Sequence, residues 1–235
     1  VPNEAGYGNY KYTNIGYNIY TIILEKITGK SWQNWMQEKI IDPIGMNHTT
    51  AFISRAKKEN WLMALPYIVI DSVCRIDLEK KDNTMQSAGG LISTPDDMAK
   101  WLKIQVGKGK LNGKQLFQER MMIYSQQELV ITEDPKRLFQ PTHYGFGWLH
   151  GTYEHHKVIH HFGGFAGFAT HVSFMPDEQI GVAVMVNEAL SGDKLMNLIA
   201  TFIYDYFMEK KEWNDYDETI NAFAEKLNEG RKMMR

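Results

Sequence analysis

Three features of the sequence carry residue types that could do chemistry. Tyr12-Thr13-Asn14 stands directly ahead of an apolar helical stretch, where a tyrosine is either core packing or a phenol placed for proton transfer; the residues alone favour core. His161-Phe162-Gly163-Gly164-Phe165-Ala166-Gly167 sets a histidine on a strand beside three glycines, and glycine within a strand marks a bulge or a close approach between backbone and ligand. Seven of the eight histidines fall between His143 and His171, including the pairs His155-His156 and His160-His161. A metal site is one use for them. Against it, there is no His-Glu-x-x-His spacing, adjacent histidines on a strand point to opposite faces, and Glu154 is the only acid nearby before Asp177. No metal and no cofactor are expected. The sequence also lacks a Gly-x-Ser-x-Gly elbow, a phosphate-binding loop and a dinucleotide fingerprint.

The order of further segments narrows the reading. Tyr12-Thr13-Asn14-Ile15-Gly16-Tyr17 is followed by Ile27-Thr28-Gly29-Lys30-Ser31 and Asp42-Pro43-Ile44-Gly45-Met46-Asn47-His48-Thr49. Then come Ser87-Ala88-Gly89-Gly90-Leu91 running on to Asp97-Met98, Tyr144-Gly145-Phe146-Gly147-Trp148, and His161 to Gly167 through Val186-Asn187. In content and order these resemble the serine β-lactamase-like family, which includes class C β-lactamases, D-alanyl-D-alanine carboxypeptidases and related esterases; the resemblance covers residues 10 to about 208. It implies acyl transfer through a covalent serine ester, with a Ser-x-x-Lys pair one helical turn apart, a Tyr-x-Asn motif and a Lys/His-x-Gly motif on a strand. On that resemblance Tyr12 would shuttle the proton, its phenolate favoured by a nearby lysine, and Asn14 would orient that lysine and the substrate amide. His161 would take the place of the strand lysine or histidine, and Gly163 would leave room for the substrate backbone. The Gly164 N–H would be one of two oxyanion donors, the serine's own N–H being the other.

The family's Ser-x-x-Lys stands well upstream of its tyrosine motif, and only eleven residues precede Tyr12, so the nucleophile is expected outside this chain. Two literal matches, Ser54-Arg55-Ala56-Lys57 and Ser191-Gly192-Asp193-Lys194, come after Tyr12, in the wrong order, and about 0.7 such matches arise by chance at this composition. Ser191 reads instead as a helix N-cap. Phe162 stands where many relatives carry a serine or threonine whose hydroxyl helps hold a substrate carboxylate, which implies a lean towards ester or other acyl substrates.

The elements that must position these residues show in the patterning. Ile15, Ile19, Ile22, Ile23 and Ile27 recur at three- and four-residue steps and predict a helix from Ile15 to Thr28, with Asn14 as N-cap and Gly29 as its left-handed end. Ser31 caps a second helix through Ile40, stopping before Asp42-Pro43. His48 to Met85 has no sustained period and is expected to be irregular, with Trp61 to Ile70 a buried apolar segment too short to span a bilayer. Ser87-Ala88-Gly89-Gly90 is a turn, Thr94-Pro95-Asp96-Asp97 starts a helix, and Lys114 to Gln126 reads as another. Four strands, Tyr144 to Leu149, Val158 to Phe162, Phe168 to Met175 and Ile180 to Asn187, make an antiparallel meander with a turn at Pro176-Asp177-Glu178-Gln179. Ser191 to Met208 is a long apolar helix suited to cover one face of that sheet, and Trp213 to Arg235 a more polar helical tail.

The patterning points to an α+β class, an antiparallel sheet with packed helices plus a helical region; the resemblance makes it β-lactamase/transpeptidase-like and N-terminally incomplete. A partial domain over 1–212 would comprise a helical region of about 10–142 and a sheet with its covering helix of about 143–210, with 213–235 a tail or linker. With 43% apolar and 23% charged residues the chain is an ordinary folded protein, and a net charge of −2 gives no electrostatic reason for a nucleic-acid or acidic-membrane partner. Cys74 is the single cysteine, so no internal disulfide forms. No transmembrane segment and no targeting signal is visible from Val1; export to a periplasm is implied by the resemblance alone. The expected function is part of a β-lactamase-related serine hydrolase using acyl-enzyme chemistry on a small-molecule ester, amide or peptide-like substrate, this fragment being inactive without its nucleophile. The alternative is a non-catalytic binding or interaction protein on the same fold. Lacking the first strands of the family's sheet, the Ile180 to Asn187 strand is expected to keep an open edge and to self-associate.

Overall fold

The computed structural model describes residues 8–69, 73–132, 138–209 and 216–233. Helix α1 (Ile15–Thr28) forms over the predicted stripe and ends at Gly29, whose left-handed backbone (φ 68°) lets its N–H reach the Glu25 carbonyl. Asn14 fills the N-cap position with an already helical backbone (φ −79°, ψ −17°) and makes no side-chain cap; the Thr13 hydroxyl accepts the Ile15 N–H at 3.2 Å instead. No residue of α1 is buried, and its five stripe isoleucines are between 52% and 78% exposed. A stripe of this kind normally faces a core, so α1 has no covering layer among the described residues.

Ser31 accepts the Asn34 N–H at 3.3 Å and starts α2 (Trp32–Met36). The expected stop before Asp42-Pro43 does not occur: a π-helical turn over Gln37–Ile41 passes into α3 (Asp42–Ile44), which ends at left-handed Gly45. Pro43 falls in the first turn of α3, where a missing N–H costs least, and the wider π turn ahead gives its ring room. Ile41, Ile44 and Met46 from this run meet Ile104 and Met122 in a buried cluster.

The stretch expected to be irregular holds α4 (Ile53–Lys58) and a hairpin of β1 (Tyr67–Val69) with β2 (Val73–Arg75). Trp61 to Ile70 is not the buried segment expected. Leu62, Ala64 and Leu65 are exposed and only Pro66 is buried, because the segment has apolar composition without a periodic face to bury; Ile70 lies outside the described residues. Thr94 caps α5 (Pro95–Val106) by accepting the Asp97 N–H at 3.3 Å. The helix expected over Lys114 to Gln126 is shorter. Strands β3 (Lys110–Leu111) and β4 (Lys114–Gln115) pair across Asn112 and Gly113, both at positive φ (49° and 78°), and α6 spans only Glu119–Ser125. Asn-Gly is a two-residue hairpin signal, and it prevails over the weak helical periodicity around it.

The sheet is a meander in which β5 (Val130–Ile131), β6 (His143–Tyr144), β7 (Leu149–Tyr153), β8 (His156–Phe165), β9 (Phe168–Met175) and β10 (Ile180–Val186) lie side by side in chain order. The single strand expected from Tyr144 to Leu149 is two: Gly145 N–H turns back to the Trp148 carbonyl and Gly147 takes φ 82°. β10 stands at one end of the strand order. Helices α7 (Gly192–Phe207) and α8 (Tyr216–Met233) follow; Trp213 lies outside the described residues. Ser191 sits at the N-cap position of α7 but does not cap it, because its hydroxyl is donated to Glu188.

The chain divides into two units. The first comprises Val1–Leu62, Lys80–His160 and Phe174–Gly181, and holds the Ile41/Ile104 cluster. The second comprises Met63–Glu79, His161–Ser173 and Val182–Arg235, and packs α7 on β9, with Gly192 against Ala169 and the Tyr204 hydroxyl bonded to Ser173.

Candidate active site

Tyr12 and Asn14 belong to the first unit, and His161, Gly163 and Gly164 to the second, so each set has its own surroundings. Tyr12 is 52% exposed, which removes the core-packing reading. It stands in a group of four phenols. Its ring meets Tyr144 edge-on (centroids 6.2 Å apart), Tyr10 lies tilted against the same ring at 5.2 Å, and the Tyr17 and Tyr144 hydroxyls share a 2.9 Å hydrogen bond. Burial first, then the bond with Tyr17 and the nearness of the Tyr17, Tyr12 and Tyr10 phenols, push the Tyr144 phenol far above the ordinary tyrosine range. Tyr144 therefore keeps its proton.

The Ser87-Ala88-Gly89-Gly90 turn is fastened to α1 through Ser87, whose hydroxyl lies 2.9 Å from Thr21 Oγ1 and donates to the Tyr17 carbonyl (3.1 Å) and Asn18 Oδ1 (3.2 Å). Lys80 holds the same turn, its Nζ donating to the Gly89 and Leu91 carbonyls at 2.6 and 3.0 Å, and burial lowers its pKa. A Cβ on Gly90 would overlap the Gln86 carbonyl and stand 2.9 Å from the Trp32 ring, so only glycine fits. Sequence reasoning assigned no role to Tyr17, Tyr144 or Lys80. The spacing of Tyr10, Tyr12 and Tyr17 around one helix start was the available signal for the phenol group; nothing local marks Lys80.

Both literal Ser-x-x-Lys serines give their protons to carboxylates. Ser54 donates its hydroxyl to Asp82 Oδ2 at 2.6 Å and its N–H to Oδ1 at 2.8 Å, and that hydroxyl bond is the leading cause of a lowered Asp82 pKa, which leaves the carboxylate a poor base. Ser54, Lys57, Lys80, Lys81 and Asp82 line an open cavity of about 430 Å³. The Ser191 hydroxyl and N–H both go to Glu188, and Lys194 Nζ stands 5.7 Å over the Phe223 ring.

In the second unit, strand alternation sorts the residues of β8 and β9. On β9, Ala169, His171 and Ser173 are buried while Phe168, Thr170 and Val172 are half-exposed. The Phe162 ring packs on His171 at 5.0 Å and so shares the buried side. There His171 Nε2, Ser173 Oγ and Tyr204 OH form a chain of 2.7 Å hydrogen bonds, and burial takes His171 down to about 4, so it is neutral. The expectation at Phe162 is thereby corrected. Its half-exposed ring packs on His171, on the other side of the strand from Gly163, so a side chain at 162 does not face the Gly163 side.

His161 and Gly163 lie on the opposite side. His161 Nδ1 donates to the Phe162 carbonyl at 2.6 Å, which makes Nε2 the basic nitrogen of the neutral ring. A Cβ on Gly163 would overlap the Thr170 hydroxyl, whereas at Gly164 it would find nothing nearer than the Phe168 carbonyl oxygen at 3.9 Å. Both glycines are exposed. Of the remaining histidines, His150 and His160 are buried, burial taking His150 to about 4, and His156 pairs with Glu178. Among the described residues no three His, Cys, Asp or Glu side chains gather as a metal-ligand set.

An antiparallel meander with a long helix packed on it, preceded by a mostly helical region, defines an α+β protein of the penicillin-binding-protein and β-lactamase fold. The chain belongs to the Beta-lactamase family, whose model matches residues 2–202. Among curated proteins it is similar to the unguisins hydrolase of Aspergillus campestris, 24% identical over 225 residues that make up 90% of this chain and 40% of the relative. It is likewise similar to the D-alanyl-D-alanine-carboxypeptidase/endopeptidase AmpH of Escherichia coli, 24% identical over 183 residues, 76% of this chain and 45% of the relative. The octameric penicillin-binding protein homologue from Pyrococcus abyssi superposes with a TM-score of 0.70 at 22% identity, covering 87% of this chain and 44% of that one. The D-amino acid amidase from Ochrobactrum anthropi gives 0.67 at 18% identity, covering 87% and 58%. These structural likenesses show the fold. The chain spans less than half the length of the two curated relatives, and the family is one of hydrolases.

Proposed function

We propose that the chain is part of a serine hydrolase that forms an acyl-enzyme with an ester, amide or peptide-like substrate. The observation that carries this reading is the surroundings of Tyr12: an exposed phenol held edge-on against a tyrosine that cannot give up its proton, at the head of a helix whose apolar face stands open. The nucleophile then lies on a segment that covers that face. Tyr12 takes the serine proton as the bond from Oγ to the acyl carbon forms, and gives it to the leaving amine or alcohol as that bond breaks; water, deprotonated by the same phenolate, then releases the acid and frees the serine. Asn14 orients the partner lysine and the substrate amide, His161 takes the strand lysine's place, Gly163 leaves room for the substrate, and the Gly164 N–H with the serine's own N–H receives the oxyanion. The carboxypeptidase and amidase relatives favour a D-amino-acid residue beside the scissile carbonyl.

One observation favours the alternative, a non-catalytic binding protein on the same fold: within this chain the protons of both Ser-x-x-Lys serines are held by carboxylates. Mass spectrometry after incubation with a fluorophosphonate separates the two. The 235-residue chain should gain no mass, and the protein extended upstream should take one adduct on a serine preceding Val1. An adduct on Ser54 or Ser191 would overturn the nucleophile assignment, and an extended protein that stays unlabelled would overturn the enzyme reading.

A further inference from the structure

We propose that Tyr17, Tyr124 and Phe146 form a subsite beside Tyr12 for an aromatic ring of the substrate, an assignment that rests on the hydrolase reading above. The three rings come from α1, from α6 and from the turn between β6 and β7, all in the first unit. Phe146 and Tyr124 pack with centroids 5.1 Å apart and planes tilted by 35°, yet they remain 47% and 53% exposed. The turn approaches Tyr17 at Gly147, where a Cβ would meet only the Tyr17 hydroxyl, at 3.8 Å. That hydroxyl is bonded to Tyr144, the ring that Tyr12 meets edge-on. Tyr144 and Phe146 are two residues apart, at most ~7 Å of backbone, so Tyr12 and the exposed pair flank one strand end.

The turn itself gives no reason for a phenylalanine at 146. Tight turns favour glycine, asparagine or aspartate, and the tightness here comes from Gly145, where a Cβ would overlap the Gln127 carbonyl. Trp148, the other large aromatic of this segment, is buried and packs edge-on against Phe174 at 5.3 Å, so Trp148 makes the core contact and Phe146 is left at the surface. At 3.6 residues per turn Tyr17 points roughly 150° away from the middle of the isoleucine stripe, so this surface is not the open face of α1. What it offers a ligand is ring faces and edges, with Tyr144 uncharged beside them. A third ring laid against the Phe146–Tyr124 pair gains offset or edge-on contact on top of its burial, which a methyl side chain does not.

The test is equilibrium binding to the 235-residue chain, followed by NMR, with N-acetyl-D-phenylalaninamide and N-acetyl-D-alaninamide as probes that differ only in the phenyl ring. The phenyl probe should bind about tenfold more tightly. Phe146→Ala and Tyr124→Ala should each weaken it about fivefold and leave the alanine probe within about twofold; Phe146→Trp should keep the phenyl probe within about threefold of the unsubstituted chain. Equal binding of the two probes, binding of neither, a phenyl probe indifferent to both alanine variants, or equal losses for both probes would each overturn the proposal. Fluorophosphonate labelling of the upstream-extended protein keeps this failure distinct from that of the wider reading, because the adduct needs no ring. An adduct alongside unaltered phenyl binding in Phe146→Ala overturns the subsite alone, and Phe146-dependent phenyl binding in a protein that takes no adduct overturns the hydrolase reading alone.

Discussion

Helix α1 should be far less protected than α7, and its isoleucines should be replaceable almost without cost. Burying an isoleucine fully contributes about 1.5–3 kcal/mol, and the five on α1 are between 52% and 78% exposed, so the open face withholds roughly 5–9 kcal/mol. What fastens α1 is mostly polar: the Tyr17–Tyr144 hydroxyl pair, Ser87 with Thr21 and Asn18, and the Glu25 carboxylate accepting the Trp32 N–H at 2.9 Å. At about 0.5–1.5 kcal/mol for each net hydrogen bond, these four set a local opening free energy of about 2–6 kcal/mol. Native-state hydrogen exchange on the 235-residue chain should therefore show α1 amides opening well below those of α7, where Ala200 and Tyr204 are wholly buried. Ile19→Lys and Ile23→Lys should each change the urea-derived stability by less than about 0.5 kcal/mol. Protection of α1 equal to that of α7, or a loss above about 2 kcal/mol for either variant, would show that the face is already covered and would remove the argument that a further segment, bearing the nucleophile, belongs there.

The other predictions concern single groups. Asp97 is buried; burial alone would raise its pKa, but Lys100, the His48 N–H and the Thr49 hydroxyl outweigh it and hold it low. Its contribution is present above the unfolded carboxylate value of about 3.9 and is lost as pH falls through the lowered folded value; Asp97→Asn should cost about 2–3 kcal/mol at pH 7, Lys100 being partly screened, and should flatten the acid limb of the stability profile. Phe162→Ser should lower stability by about 2 kcal/mol by opening the packing on His171, with no gain in carboxylate binding. In the upstream-extended protein, Tyr12→Phe should slow aryl-ester hydrolysis by about 10² to 10⁴ with little change in thermal midpoint; an unaltered rate would refute the proton-shuttle role. β10, at the end of the sheet, has neither proline nor charge, so sedimentation velocity should show concentration-dependent self-association that a charge at half-exposed Ala183, Ala183→Lys, reduces; a strict monomer would count against an open edge.

How much of this was legible follows from how local each signal is. The α1 boundaries, the Ser31 and Thr94 caps, the turn after β9 and the long α7 are written in residue types within one turn of where they act, and they form where the patterning puts them. The misreadings share a cause. Asn112-Gly113 encodes a hairpin whose second strand, Lys114–Gln115, reads as the start of a helix, Gly145 and Gly147 split what reads as one strand, and Pro43 is tolerated because a π turn, invisible in sequence, precedes it. The apolar run after Trp61 shows the converse. Hydrophobic composition without a period predicts burial only if a neighbouring element supplies the other half of the interface.

The site was legible as motifs and illegible as surroundings. The motif residues Tyr12, Asn14, His161, Gly163 and Gly164 are marked by their neighbours in sequence, whereas Tyr144 packs beside Tyr12 from more than a hundred residues away and Thr170 stands over Gly163 from only seven away, so chain distance alone is not what hides such neighbours. What hides them is face. The resemblance gives residue 162 a role because many relatives carry a serine or threonine there, yet alternation turns the Phe162 ring onto His171 and sets Thr170 on the other side, with Gly163. Alternation along β8 places Phe162 with the buried side and leaves the Thr170 hydroxyl of β9 over Gly163. A motif on a strand is thus two half-motifs on two faces, and each half is completed by the facing strand rather than by the next residue in the chain.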